Sequence, residues 1–131
     1  MLVVFAGYLA VPAPVKAADP NAEGSGNYRG YHADVVSWGG GKKTLTVFGD
    51  IPRGGDPYAP FRFNAFGGYD VLLLPPNYGF GQDSEGGVTV RVGEIMVGDN
   101  PVGEITLLYD DKGISSGGKH SFAQGDFQVS P

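Results

Sequence analysis

Val88-Thr-Val-Arg-Val-Gly-Glu-Ile-Met-Val97, Gly98-Asp-Asn-Pro101 and Val102-Gly-Glu-Ile-Thr-Leu-Leu-Tyr109 form the stretch whose reading decides the fold. Val88, Val90 and Val92 alternate with Thr89 and Arg91, the two-residue period of a strand with one buried face. Gly93 interrupts the alternation, as a glycine does at a bulge or a close backbone approach. Ile95, Met96 and Val97 are apolar without alternation, which predicts cover on both sides. Gly98 to Pro101 supplies turn chemistry, because Asp and Asn side chains bond nearby backbone and Pro fixes φ. The segment therefore predicts a core hairpin that ends at a second turn, Asp110 to Gly113. Val-Gly-Glu-Ile recurs at 92–95 and 102–105, but two copies fall short of the roughly three repeats a stacked solenoid needs.

Working outward, Phe61–Phe66 and Tyr69–Leu74 read as a hairpin around Gly67-Gly68, with Leu72–Leu74 covered on both faces. Tyr31–Trp38 and Thr44–Gly49 read as another hairpin around the loop 39–43. In its first strand His32, Asp34, Val36 and Trp38 share one face, and Tyr31, Ala33, Val35 and Ser37 share the other. Ser121–Val129 holds a last strand, interrupted at Gly125. Asp50–Pro60 and Asn77–Gly87 read as long irregular loops, a kind of segment that tends to carry function. No stretch carries a capped helical period.

The 131 residues fit one domain with a core that needs no staple. The chain has no cysteine, which removes disulfides, thiolate nucleophiles and Cys-ligated metal. The 23 glycines and 10 prolines punctuate apolar runs, as in an all-β chain with many turns. The formal charge is −5 and the nine basic residues are scattered, which argues against a nucleic-acid partner. The expected fold is all-β: a two-sheet antiparallel β-sandwich of about seven strands. Val92–Val129, with its strand, Pro-Val-Gly, strand, turn and Gly-x-Phe order, resembles the opening strands of transthyretin-like surface domains over under a third of the chain, which favours a sandwich over a barrel.

Residues 1–27 are expected to lie outside the sandwich, which would occupy 28–131. Met1–Val11 is apolar but short of the ~20 residues of a membrane-spanning helix. It is an extended N-terminal arm or, with Val15-Lys16-Ala17 as a small-residue cleavage site, a signal peptide covering residues 1–17. The n-region has no Lys or Arg, which favours the arm. Asp19–Asn27 reads as a polar linker.

Chemical motifs fare poorly. Gly113-Ile-Ser115-Ser-Gly117 has nucleophile-elbow spacing without the helix the elbow requires. Gly113–His120 nearly matches a phosphate-binding loop, but His120 stands where a magnesium-binding hydroxyl belongs. His32 and His120 have no neighbouring ligands at zinc spacing, and Asp83, Glu85, Asp110 and Asp111 form no calcium-loop pattern. No catalytic residue, metal site or cofactor is expected. The contact candidates are Val3, Val4, Phe5 and Tyr8 of the arm and Tyr58, Phe61, Tyr78 and Phe80 in or beside the long loops. The expectation is a non-enzymatic structural subunit of a larger assembly, such as a virion coat, decoration or tail component or a cell-surface layer, with protein subunits as partners. The alternative is a secreted or periplasmic binding module, with carbohydrate as a candidate ligand and residues 1–17 cleaved.

Overall fold

The computed structural model describes residues 23–56, 59–75, 82–83, 88–110 and 121–129. Among the described residues nine strands follow one another: β1 (Gly24–Asn27), β2 (Tyr31–Gly39), β3 (Lys42–Gly49), β4 (Phe61–Phe66), β5 (Tyr69–Leu73), β6 (Gln82–Asp83), β7 (Val88–Val97), β8 (Asn100–Asp110) and β9 (Ser121–Gln128). All pairings are antiparallel. Hydrogen bonds join them in one sheet of order β1-β2-β3-β9-β8-β7-β5-β4, and β6 pairs with β7 beyond the end of β5.

This corrects the sandwich. The chain forms a single sheet curled into a half-barrel, and its inner residues meet across the concave face of that one sheet. Residue size along the inner face explains the curl. One row crosses the sheet as Leu73–Gly93–Ile105 on β5, β7 and β8, and Gly125–Leu45–Val35 continues it on β9, β3 and β2. Large and small residues alternate, so a strongly bent sheet keeps room for its inner side chains. A Cβ at Gly125 would stand 2.3 Å from the Glu104 carbonyl oxygen, and one at Gly103 would stand 2.5 Å from Phe127 Cβ. Glycine is what lets β8 and β9 approach this closely. Tyr69 and Phe127 pack edge to face on this inner side, centroids 4.9 Å apart.

The edges of the half-barrel are bridged by side chains. Phe66, at the end of β4, lies 3.6 Å from where a Cβ on Gly24 would stand and 3.7 Å from one on Gly26 of β1. The Tyr31 hydroxyl donates to the Asn64 carbonyl, and the Gly67 N–H donates to the Tyr28 hydroxyl at 3.3 Å. Residues 24–27, read as linker from their polar sequence, thus belong to the sheet as its edge strand.

The expected hairpins are present, one with the turn that was expected and two with tighter ones. β7 and β8 join through Gly98-Asp99, with Gly98 at φ +61°, and β4 and β5 join through Gly67-Gly68. The β2–β3 loop contracts to Gly40-Gly41. The faces of β7 are reversed from the expectation. Arg91, Gly93 and Ile95 share the inner face, while Val90 and Val92 stay half-buried opposite Leu108 and Thr106. The valines gave the apolar signal, but Gly93 lets inner-face Ile105 pack across β7, so the inside needs no run of large residues there.

Candidate functional site

Backbone geometry alone sets Trp38 apart. Ser37 pairs with Lys43 and Gly39 pairs with Lys42, so Trp38 is the extra residue of a β-bulge. Bulges redirect a side chain away from the regular pleat. Gly39, Gly40 and Gly41 follow with φ of +94°, +65° and +83°, a run that residues with a Cβ rarely adopt. The turn is then tied to the end of β9: the Gln128 amide donates to the Gly40 carbonyl at 2.7 Å, and the Val129 N–H donates to the Gly41 carbonyl at 2.9 Å. The indole is 70 % exposed, yet it is oriented. Its Nε1–H donates to Thr44 Oγ1 at 2.8 Å, and the Thr44 hydroxyl donates to Asp126 Oδ1 at 2.6 Å. Beside it lies an open hollow of about 600 Å³, lined in part by Lys42, Val102, Asp126 and Gln128.

A second feature runs across the convex face. Register aligns His32 with Phe48, Phe48 with Phe122, Phe122 with Leu108 and Leu108 with Val90. The row crosses five adjacent strands, and Phe48, Phe122 and Leu108 are all exposed. His32 Nδ1 lies 2.7 Å from Asn27 Oδ1, and its ring centroid lies 5.0 Å from that of Phe48. A small hollow of about 310 Å³ opens beside His32 and Phe48.

The third feature closes one end of the half-barrel. Arg91 is buried and donates to the Leu74 carbonyl at 2.7 Å and the Arg53 carbonyl at 3.5 Å. The Tyr109 hydroxyl donates to the Pro52 carbonyl at 2.8 Å, and the Arg53 guanidinium stands 4.0 Å over the Tyr109 ring. Burial lowers the Arg91 pKa; Tyr109 opposes that shift and Arg53 adds to it. Burial raises the Tyr109 phenol, and Arg53 and Arg91 partly offset the rise. The hydrogen bonds of Arg91 and Tyr109 fasten residues 52 and 53 to the sheet.

The sequence candidates distribute unevenly. Phe61 is half-buried on β4, stacks on Phe63 with centroids 6.4 Å apart, and lies within 2.8 Å of where a Cβ on Gly54 would stand. Val3, Val4, Phe5, Tyr8, Tyr58, Tyr78 and Phe80 lie outside the described residues, as do His120 and the two glycine-rich motifs from Gly113 onward. Sequence reasoning passed over Trp38, Phe48, Leu108 and Phe122. The signal for Trp38 was the triple glycine after it. For the others it was a large apolar residue on the face opposite the core, in three strands that turn out to be neighbours. Among the described residues no group of three His, Cys, Asp or Glu is placed to hold a metal ion, and no helix is long and apolar enough to cross a membrane.

Comparison with known proteins finds no matching family model, no similar curated protein and no similar solved structure. What can be said of class rests on the fold itself: an all-β, antiparallel, single-sheet protein.

Proposed function

We propose that the protein is a non-enzymatic subunit of a larger assembly, such as a virion coat, decoration or tail component or a surface layer, and that neighbouring subunits bind its convex face. The observation that carries this reading is the outward row His32–Phe48–Phe122–Leu108–Val90. Single exposed apolar residues are ordinary, but a contiguous apolar patch on a soluble domain signals a partner surface. At ~4.8 Å between strands the row spans roughly 19 Å. Phe48 and Phe122 keep about two-fifths of their surface in water, so the half-barrel does not need them for its own core. The proposed occupant is the apolar segment 2–11 of a neighbouring copy, whose Val3, Val4, Phe5 and Tyr8 supply matching apolar surface. Fully extended it reaches about 35 Å, enough to traverse the row.

Sedimentation velocity of the full chain tests the proposal against Phe122→Lys. The wild type is expected to form oligomers whose size rises with concentration. The variant is expected to stay monomeric with an unchanged circular dichroism spectrum, since residue 122 faces water. A wild type that is monomeric up to the micromolar range of ordinary interfaces, or a variant that assembles equally well, overturns it.

A further inference from the structure

We infer that the hollow beside Trp38 is a binding site for neutral carbohydrate, with the indole as the stacking platform for a pyranose ring. The inference does not rest on the assembly proposed above, and it concerns a different part of the convex surface.

Three observations converge. Trp38 is the only tryptophan of the chain and, at 70 %, the most exposed large hydrophobic among the described residues, a cost in water that folding does not recover. It is also held in one orientation. The bulge turns it out of the pleat, the Gly39–Gly41 turn is anchored to β9 through Gln128 and Val129, and the relay from Nε1–H through Thr44 to Asp126 fixes the ring. An aromatic face oriented in advance loses little conformational entropy on binding. Finally, the hollow of about 600 Å³ falls within the roughly 300–1,000 Å³ of small-molecule sites.

The lining selects the ligand class. A pyranose offers an apolar C–H face and a rim of hydroxyls that both donate and accept. The indole meets the first requirement. For the second, Asp126 and Gln128 present acceptor oxygens and the Lys42 ammonium presents donors. The Thr44 hydroxyl, already donating to Asp126 and accepting from Trp38, is committed to holding the platform. Lys43 also lines the hollow but is buried, so the exposed charges are one carboxylate, Asp126, and one ammonium, Lys42, a balance that suits a neutral polyol. An acidic sugar would gain at Lys42 what it loses at Asp126, and a cationic one the reverse, so neither charge is favoured.

The sole tryptophan reports directly on its own site. The full chain is titrated with β-linked gluco-oligosaccharides, N-acetylglucosamine oligomers and mannose oligomers while Trp38 emission is followed, with oligogalacturonate as the acidic comparator. A glycan array extends the panel. At least one neutral series is expected to shift or quench the emission saturably. On the array, Trp38→Ala is expected to bind that series about tenfold more weakly or worse, with unchanged circular dichroism and thermal melting. Asp126→Asn keeps an acceptor for Thr44 and is expected to weaken binding less. Should Trp38→Ala misfold, Lys42→Ala and Trp38→Phe take its place, each with reduced affinity expected. The inference fails if no neutral sugar moves the emission or binds the array, if Trp38→Ala binds as the wild type does, or if oligogalacturonate binds in preference.

Discussion

Gly125→Ala tests the account of the curled sheet. Gly125 lies in β9 on the inner face, and its φ is outside the left-handed region, so alanine meets no backbone strain there. The conflict is purely one of space. The new Cβ would stand 2.3 Å from the Glu104 carbonyl oxygen, 2.8 Å from Ile105 Cα and 2.9 Å from Ile105 Cβ. The first two are backbone atoms of the paired strand and cannot rotate away. Ordinary contact begins about an ångström farther out, so β8 and β9 must separate at the centre of the sheet. Overpacking of this kind costs about 1–3 kcal/mol, and rigid neighbours put it at the upper end. Loss of glycine's freedom in the unfolded chain returns about 0.4–1 kcal/mol. The net expectation is a destabilisation of about 2 kcal/mol, or roughly 6–10 °C in melting temperature for a chain whose length falls between the two size classes of small domains. Urea unfolding followed by far-ultraviolet circular dichroism measures it. Gly55→Ala is the control, because nothing lies within 4 Å of its Cβ and its φ is not positive. It should be neutral or slightly stabilising. A Gly125→Ala protein within 0.5 kcal/mol of wild type, the scatter of ordinary surface changes, would refute the argument that glycine sets the curvature.

Two further perturbations probe the outer face and the bridged edge. Glu94 and Glu104 face each other directly across β7 and β8, and like charges in that position repel. Glu104→Gln is expected to raise stability by about 0.2–1 kcal/mol in low-salt urea unfolding, with the gain shrinking as salt screens the pair; a loss of stability would contradict the register. Burial, then the neighbouring Tyr28 and Asp70, push the Tyr31 phenol up from 10.0 to about 12. A folded-state pKa raised in this way gives stability that is complete below pH 10 and is lost as pH rises toward 12. Melting temperature should therefore fall across that window, and less steeply in Tyr31→Phe; equal slopes for the two proteins would remove Tyr31 from the account.

Much of the sheet was legible because its strands carry a two-residue period and its turns carry glycine. Phe63, Ala65, Tyr69 and Val71 alternate cleanly on either side of Gly67-Gly68, and all four are buried. Gly24–Asn27 and Gln82–Asp83 were illegible as strands. Both consist of glycine and polar residues alone, and each joins the sheet through backbone pairing with a longer neighbour. The faces of β7 were misread for a related reason. Periodicity weighs large apolar residues, whereas the inner face there consists of Arg91, Gly93 and Ile95. Arg91 is accepted inside because the Leu74 and Arg53 carbonyls accept hydrogen bonds from its guanidinium. The choice between two sheets and one curled sheet was beyond periodicity altogether. Both bury alternate residues, and the deciding fact is that Gly93 and Gly125 come to lie in one row with Leu73, Ile105 and Leu45, a coincidence of register across five strands.

The same register argument explains why the candidate sites escaped the sequence. Phe48, Leu108 and Phe122 lie in three separate strands, and each looks like an ordinary member of a half-apolar strand. They become a surface only because β9 inserts between β3 and β8, bringing residue 122 beside residue 48 on one side and residue 108 on the other. Insertion of β9 also assembles the Trp38 hollow, since Asp126 and Gln128 reach Thr44 and Lys42 through the β3–β9 pairing. Both features therefore depend on the last strand and neither depends on the other. A change that unpairs β9 should abolish both, whereas Phe122→Lys and Trp38→Ala, at exposed positions on different rows, should each remove one and spare the other. That independence gives the two readings separate fates: assembly can fail while sugar binding stands, and sugar binding can fail while assembly stands.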